Sequence, residues 1–192
     1  MRKNKKKTES VQELNQNIQR KETGVKQYQM FILRVLILLV IVWLLFFVFI
    51  GLTRMPSGDM YPRMDAGDMV MYYRLDRNPV AQDVIVYEIT NKDGYREQLI
   101  SRVIACPGDT VDIEENGSVR INGHNVTEMN IFYYTSQFEG DAVPQFPVKL
   151  GEDEYFVMGD RRDQAYDSRV FGPVKQSEII GTVITILRRN AI

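Results

Sequence analysis

The side chains best suited to chemistry stand close together in one short stretch, residues 56–64. Ser57 offers a hydroxyl and Asp59, two residues later, offers a carboxylate. Two prolines and a glycine restrict or release the backbone at close intervals in the same stretch: Pro56, Gly58 and Pro62. This pattern predicts a shaped loop rather than a helix.

Metal and disulfide chemistry is largely excluded by composition. The chain has one cysteine, Cys106, and one histidine, His124. One cysteine excludes an intrachain disulfide, and one histidine excludes a site built from several histidines. A zinc site would need carboxylates for its other protein ligands, and the spacing does not suggest one. We predict no metal and no other cofactor.

A long apolar segment precedes the loop. Residues 35–52 are eighteen residues without charge or proline, and such a run is typical of a transmembrane helix, which needs about 20. A cleaved signal peptide is the alternative, but its apolar region is usually about 7–15 residues long and ends at a small-residue cleavage site. The run here is longer and no Ala-x-Ala follows it. We predict a signal anchor over residues 30–52.

Charge is divided unevenly along the chain. Residues 1–34 carry nine Lys/Arg against three Glu, a net of +6, and residues 35–192 carry fifteen against twenty-two acidic residues, a net of −7. The positive-inside rule therefore predicts a single-pass cell-membrane protein, with the tail 1–29 in the cytoplasm and residues from about Thr53 onward outside. The tail is expected to touch anionic lipid, with a partner-binding helix as the alternative. No nucleic-acid partner is predicted.

The remainder, residues 53–192, predicts a mainly β domain. Segments rich in Val, Ile and Tyr are separated by turn signals and predict strands at 68–74, 83–90, 99–105, 110–114, 118–121, 155–158 and 179–187. Asn122-Gly123 favours a tight hairpin, because both residues tolerate positive φ. Residues 115–152, aromatic and proline-containing toward their end, are a possible cap or insertion.

Three ordered stretches resemble the motifs of type I signal peptidases, the S26 family. Residues 57–64 resemble Ser-Gly-Ser-Met-x-Pro-Thr-Leu, and residues 100–109 resemble Lys-Arg-Val-Ile-Gly-x-Pro-Gly-Asp after one leading residue. Residues 159–172 resemble Gly-Asp-Asn-x-x-x-Ser-x-Asp-Ser-Arg-x-Trp/Phe-Gly. The resemblance covers nearly the whole chain. It implies a β-rich fold on a membrane anchor, with a membrane-facing groove that holds an extended peptide.

The family's chemistry is a serine–lysine dyad, in which a lysine of lowered pKa takes the serine proton. Matched position by position, the nucleophile is replaced by Asp59, the lysine by Ser101 and the serine that orients the lysine by Ala165. Ser57 matches the serine whose hydroxyl helps hold the oxyanion. The resemblance implies structural roles for three further residues, Asp160, Asp167 and Arg169.

Retained chemistry would need other groups. Ser57 could serve as nucleophile only with a base from among Lys92, Lys149, Lys175 and His124, whose sequence settings do not predict a lowered lysine pKa. An aspartic mechanism would need a second carboxylate beside Asp59, from Asp160 or Asp163. The sequence therefore predicts an inactive relative with no catalytic residues.

An inactive relative that keeps its groove is expected to hold a client peptide. The predicted substrate-binding residues are Ser57, Asp59, Met60, Pro62 and Ser101. The chain most resembles the SipA-type accessory proteins of Gram-positive pilus loci, which implies pilin subunits or other secreted precursors as clients and a pilus sortase as neighbour. Asp59 is either drift or a gained contact for a basic side chain of the client. An active hydrolase with a displaced catalytic set and a purely structural membrane scaffold remain the alternatives.

Overall fold

The computed structural model describes residues 2–90, 94–126, 131–138 and 143–188, with side chains for residue 24 and from 26 onward within those ranges. The chain divides into two compact units, Met1–Phe47 and Val48–Ile192. The predicted base Lys92 and two pieces of the predicted cap, 127–130 and 139–142, lie outside the described residues.

One helix, α1 (Arg2–Phe49), contains the predicted tail and most of the predicted anchor. Within it, the most apolar 18 residues of Lys26–Phe49 have a mean hydropathy of 3.1, so by length and composition this segment can cross a membrane. None of the most apolar part of this segment is buried against protein. Large exposed apolar surface of this kind requires an apolar environment. The helix ends at Phe49, before the predicted end of the anchor at residue 52.

The residues directly after the helix form a strand that the apolar sequence pattern did not predict. Strand β1 (Ile50–Arg54) pairs antiparallel with β2 (Met69–Tyr73). Gly51 permits this pairing, because a Cβ there would lie 2.1 Å from the Tyr72 ring. The first residues of β1 are as apolar as the helix before them, so hydrophobicity alone gave no sign of the change from helix to strand.

The larger sheet has the order β1-β2-β11-β3-β4-β9-β10. Its remaining strands are β3 (Val84–Thr90), β4 (Arg96–Ala105), β9 (Glu154–Met158), β10 (Val174–Lys175) and β11 (Ile179–Leu187). A short helix, α2 (Ser168–Phe171), and a 3₁₀ turn, Gln176–Glu178, lie between β9 and β11. The neighbouring strands pair antiparallel. The prediction of a mainly β domain after an apolar helix is confirmed.

A smaller sheet has the order β7-β6-β5-β8. Its strands are β5 (Thr110–Ile113), β6 (Val119–Ile121), β7 (His124–Asn125) and β8 (Val148–Lys149). The predicted hairpin between β6 and β7 is present, with Asn122 at φ 52° and Gly123 at φ 81°. The sheet buries its own cluster against Phe156 and Met158 of β9.

Two apolar clusters hold the larger sheet. One includes Ile85, Tyr87, Leu99 and Val103. The other includes Val70, Val86 and Ile100 together with three methionines from the loop between β1 and β2, which are Met55, Met60 and Met64. Each fully buried side chain of this size contributes about 1.5–3 kcal/mol relative to an exposed one. The loop is therefore fastened to the sheet by its own apolar side chains.

Candidate functional site

The loop from Met55 to Asp68 is closed by backbone hydrogen bonds at its base. The Met55 N–H donates to the Asp68 carbonyl at 2.8 Å, and the Gly67 N–H donates to the Met55 carbonyl at 2.9 Å. Met60, a predicted substrate-binding residue, has an exposed fraction of 0%, whereas Pro62 is exposed. The structure thus places the Met60 side chain in the core beneath the loop and leaves Ser57 and Asp59 half-buried.

The third motif packs directly on this loop. The Arg161 N–H donates to the Asp59 carbonyl at 2.8 Å. A Cβ at Gly159 would lie 2.4 Å from the Ala165 Cβ and 2.6 Å from the Asp59 carbonyl oxygen. Only glycine allows so close an approach. Asp59 and Ala165, which belong to motifs about a hundred residues apart in the chain, therefore meet at one place.

The second motif brings Ser101 to the same region. Ser101 is 2% exposed in β4, and its Oγ lies 3.0 Å from the Tyr87 hydroxyl of β3. Burial raises the pKa of Tyr87, so this phenol is neutral at physiological pH. Where the resembled motif has an amine, this chain has two neutral hydroxyls hydrogen-bonded to each other.

The Asp59 carboxylate has a mixed environment. Its pKa is raised, mainly because burial penalises the charged form, and the nearby charge of Asp167 adds to the increase. The Ser57 hydroxyl, a backbone hydrogen bond from Tyr166 and the charge of Arg161 act in the opposite direction. The Ser57 Oγ is itself buried and makes no hydrogen bond of regular geometry. The Ser57 hydroxyl therefore lowers the Asp59 pKa as a nearby polar group, without a well-aligned hydrogen bond.

Two buried ion pairs surround these positions. Arg102 donates to both carboxylate oxygens of Asp160, from Nε at 2.8 Å and from Nη2 at 2.6 Å. Arg169 binds Asp167 in the same two-pronged way, at 2.9 and 2.8 Å, and both side chains are 0% exposed. Asp167 also accepts from the Gly159 N–H at 2.9 Å. The ion pairs thus connect β4, the loop after β9 and α2.

One described piece of the predicted cap, residues 131–138, is tied to the same framework. Arg169 donates to the Ser136 carbonyl at 3.1 Å and lies over the Phe138 ring at 5.0 Å. Arg162, which is fully buried, donates to the Gly159 carbonyl at 2.8 Å and approaches the Thr135 hydroxyl at 3.4 Å. The segment therefore packs against the third motif.

The groups proposed as alternative bases are elsewhere. Lys149 donates to the Gly108 carbonyl, Lys175 is exposed in β10, and His124 is exposed in β7. Asp160 forms an ion pair with Arg102, and the Asp163 carboxylate lies 3.7 Å from the Arg161 Nε. Among the residues that the structure describes, no amine or imidazole is hydrogen-bonded to Ser57, Asp59 or Ser101.

One side of β4 is open next to these residues. On its β3 side, β4 is paired from Arg96 to Arg102. On its β9 side, pairing begins only at Arg102, and in the described part of the chain no strand covers residues 96–101. The Thr53 hydroxyl of β1 donates to the Gln98 side chain at 3.0 Å, so the strand that leads into the Asp59 loop runs beside this open edge.

Sequence reasoning missed several members of this site. The sequence around Tyr87 did not indicate a role in this site, since it is typical of any core tyrosine in a strand. It meets Ser101 because the β3–β4 register puts the two residues diagonally on one face of the sheet. Arg162 is one of several charged residues in the third motif, and a charge run of this kind usually predicts a solvated loop.

Comparison with known proteins assigns the family. The family model described as signal peptidase, peptidase S26, matches residues 27–187. The chain is 31% identical over 133 residues to a probable signal peptidase I-2 of Synechocystis sp., covering 66% of this chain and 57% of that protein. It is 33% identical over 137 residues to the probable signal peptidase I-1 of the same organism, covering 66% and 65%.

A solved structure of a signal peptidase I from Enterococcus faecalis V583 is also similar, at 29% identity and a TM-score of 0.42, covering 56% of this chain and 97% of that one. The fold of this chain is a β domain that follows a long apolar helix in the sequence, and its three motifs meet in one site. The family match over residues 27–187 shows that the chain belongs to the signal peptidase S26 family. The matched region spans less than two thirds of the length of the two Synechocystis relatives.

Proposed function

We propose that this protein is a catalytically inactive member of the signal peptidase family that holds extended segments of secreted precursors along β4. The family match by itself favours a peptidase. The residues argue for a binding function instead, because the positions of nucleophile, base and orienting serine are Asp59, Ser101 and Ala165.

Loss of the base is the central chemical argument. Acyl transfer by a serine needs a group that accepts the serine proton, within about 2.6–3.2 Å in a productive arrangement. Ser101 contacts the neutral Tyr87 hydroxyl, and neither group accepts a proton at physiological pH. Ala165 is 1% exposed and carries no hydroxyl that could orient a base.

The open edge of β4 is the observation that carries the proposal. Residues 96–101 present backbone N–H and C=O groups that no described strand pairs with. An extended peptide can satisfy such groups by adding as a further strand, with alternate side chains entering pockets. The edge ends at Ser101, so a bound segment would pass the altered catalytic positions without being cleaved.

The membrane and the clients complete the proposal. The apolar helix anchors the protein once in the cell membrane, with the basic end cytoplasmic and residues from about Thr53 outside. The resemblance to pilus accessory proteins suggests pilin subunits as clients and a pilus sortase as neighbour. In this role the protein would act as an assembly or chaperone factor, since it holds a precursor and does not process it.

Strand addition is tested with peptides that differ only in their main chain. Full-length protein in lipid nanodiscs is titrated with a labelled extended peptide from a client precursor and with its N-methylated analogue. N-methylation removes backbone donors and leaves the side chains unchanged, so we expect at least about tenfold weaker binding of the analogue. A photocrosslinker at Glu97, exposed at the open edge, should capture the peptide, whereas one at Glu152, exposed before β9, should not. Equal binding of both peptides contradicts strand addition.

Inactivity is tested by incubating the full-length protein with a signal-peptide-bearing precursor. We expect no cleavage by the wild type. The triple change Asp59→Ser, Ser101→Lys and Ala165→Ser asks whether the retained framework can still position a dyad. Any cleavage gained there must be absent from the matched variant Asp59→Ala, Ser101→Lys and Ala165→Ser. Cleavage by the wild type contradicts the proposed function.

One observation favours a second candidate, a hydrolase with a displaced catalytic set. The Ser57 hydroxyl is the close neighbour of Asp59, whose raised pKa makes its carboxylate a better base than ordinary aspartate. In that case wild-type cleavage is present and is abolished in both Ser57→Ala and Asp59→Asn. The same precursor assay therefore separates the two candidates.

A further inference from the structure

We propose that Asp59 and Ser57 form a recognition site for one basic side chain, lysine or arginine, of the segment held along β4. This inference rests on the proposed function and adds a specificity to it. The resembled family has an uncharged serine at this position, whereas the carboxylate of Asp59 favours a positively charged partner.

Asp59 differs from the other acidic residues of the site in having no direct partner cation. Asp160 and Asp167 are each bound by an arginine at 2.6–2.9 Å. Among the described residues, no lysine, arginine or histidine lies within 4 Å of the Asp59 carboxylate in an ion pair. The charge of Arg161 is near enough to lower the pKa of Asp59. However, the Arg161 Nε lies 3.7 Å from the Asp163 carboxylate, and its guanidinium lies 6.0 Å from the centre of the Tyr133 ring.

The Ser57 hydroxyl, a close neighbour of Asp59, provides a second observation. Its Oγ is buried and has no regular hydrogen-bond partner among the described residues. A buried hydroxyl without partners is uncommon, because the group loses its bonds to water on burial. A lysine ammonium has three N–H donors and an arginine guanidinium has five. One such group can donate to the carboxylate of Asp59 and to the Ser57 oxygen together.

The surroundings of Asp59 make a bound cation favourable. The carboxylate is half-buried, so it has already lost part of its hydration. Burial raises its pKa, which means that the unpaired charge is disfavoured in the folded protein. A cation placed beside it offsets this penalty, and charge-assisted hydrogen bonds are about twice as strong as neutral ones.

The position of Asp59 relative to the open edge of β4 determines which part of a bound segment can contact it. Asp59 lies in the loop that follows β1, and β1 contacts β4 through Thr53 and Gln98. At the other end of the edge, Tyr87 is hydrogen-bonded to Ser101. The negative charge of Asp59 contributes to the raised pKa of Tyr87, so the two side chains lie near each other. The Asp59 charge thus lies near the Ser101 end of the edge, so we expect a basic side chain at that end of a bound segment to reach it.

The test uses alanine-based peptides of roughly eight residues with acetylated and amidated ends, so that the side chain carries the only charge. One series contains a single lysine moved one position at a time, and a matched series contains norleucine at the same positions. Binding to full-length protein in nanodiscs is measured by fluorescence anisotropy. We expect lysine to bind about tenfold more tightly than norleucine at one position, a difference of about 1.4 kcal/mol. Added salt should reduce this preference.

Variants assign the preference to Asp59. Asp59→Asn keeps the shape and removes the charge, and we expect it to abolish the preference for lysine over norleucine. Glu152→Gln removes one exposed acidic charge in the turn before β9 and should retain the preference. A preference for lysine that survives in Asp59→Asn overturns the inference, because another carboxylate would then be responsible.

The outcomes also separate this inference from the proposed function. If the wild type binds lysine and norleucine peptides equally, the cation site is wrong while peptide holding stands. If no peptide of either series binds, peptide holding fails and the cation site fails with it. Acidification gives a further readout, since protonation of Asp59 should remove the preference. The other titratable groups near enough to interact with the Asp59 charge are Asp167, Arg161 and Tyr87, so the comparison of wild type with Asp59→Asn at each pH isolates Asp59.

Discussion

Two sets of residues within the site differ in what they have kept. The buried ion pairs, Arg102–Asp160 and Arg169–Asp167, keep complementary charges in two-pronged geometry. The three positions of the resembled catalytic machinery carry an aspartate, a serine and an alanine, none of which completes a serine–lysine dyad. Both sets lie in the same small region, so location alone does not explain the difference.

The energetic cost of substitution does explain it. Removing one member of a buried ion pair leaves an uncompensated charge in the interior, at a cost of about 3–5 kcal/mol. Replacing a lysine by a serine that bonds to a neighbouring tyrosine leaves no such charge behind. The framework is therefore constrained by folding, whereas the chemistry is constrained only by activity. A family member can lose its reaction and keep the groove.

The largest effect is expected from breaking the framework. Asp167→Asn leaves the Arg169 guanidinium fully buried without its counterion, and we expect a loss of about 3–5 kcal/mol in the free energy of unfolding. Thermal unfolding can be followed by a thiol-reactive dye, because Cys106 is the only cysteine and is half-buried. As control, Glu114→Gln removes the partly exposed ion pair with Arg120 and should cost less than about 1 kcal/mol. Equal losses for the two variants would remove the distinction between framework and surface.

A smaller effect is expected from the hydroxyl pair at the position of the family's lysine. Tyr87→Phe removes one partner and leaves the buried Ser101 hydroxyl unsatisfied, at a cost of about 1 kcal/mol. The double change Tyr87→Phe with Ser101→Ala should recover much of this loss, because neither polar atom then remains. The double-mutant cycle measures the coupling directly. An additive pair of losses would show that the two hydroxyls do not depend on each other.

The smallest effect, and one of opposite sign, is expected at Asp59. The pKa of Asp59 is raised in the folded protein, so between the unfolded and folded pKa values the folded state binds more protons, and stability falls as the pH rises through that window. Above the folded pKa the deficit is complete. Asp59→Asn removes it and should raise the melting temperature slightly near neutral pH, with no gain below the ordinary aspartate pKa of about 3.9.

This prediction also sharpens the comparison of the two residue sets. A stabilised Asp59→Asn alongside a destabilised Asp167→Asn would show that one carboxylate is held at a cost to stability and the other supports the fold. Loss of stability in Asp59→Asn near neutral pH would mean that the Asp59 charge has a stabilising partner after all.

Much of the β domain was predictable because the strands have strong local signals. Predicted segments such as 83–90 and 179–187 agree with β3 and β11 to within a residue. The prediction failed at β1, where the apolar pattern of the helix continues into a strand whose identity depends on pairing with β2. Met60 shows a similar limit, because its motif position suggested contact with a client while tertiary packing buries it.

The sequence by itself determined the apolar helix, the β-rich class, the order of the three motifs and the identity of the substituted positions, since these depend on local composition and spacing. Tertiary structure alone decided which groups meet: Tyr87 with Ser101, Gly159 with the Asp59 carbonyl, and the open edge of β4 with β1. Those contacts depend on strand register and on where β9 stops pairing. Such features arise from the balance of packing over the whole sheet, and no short stretch of sequence encodes them.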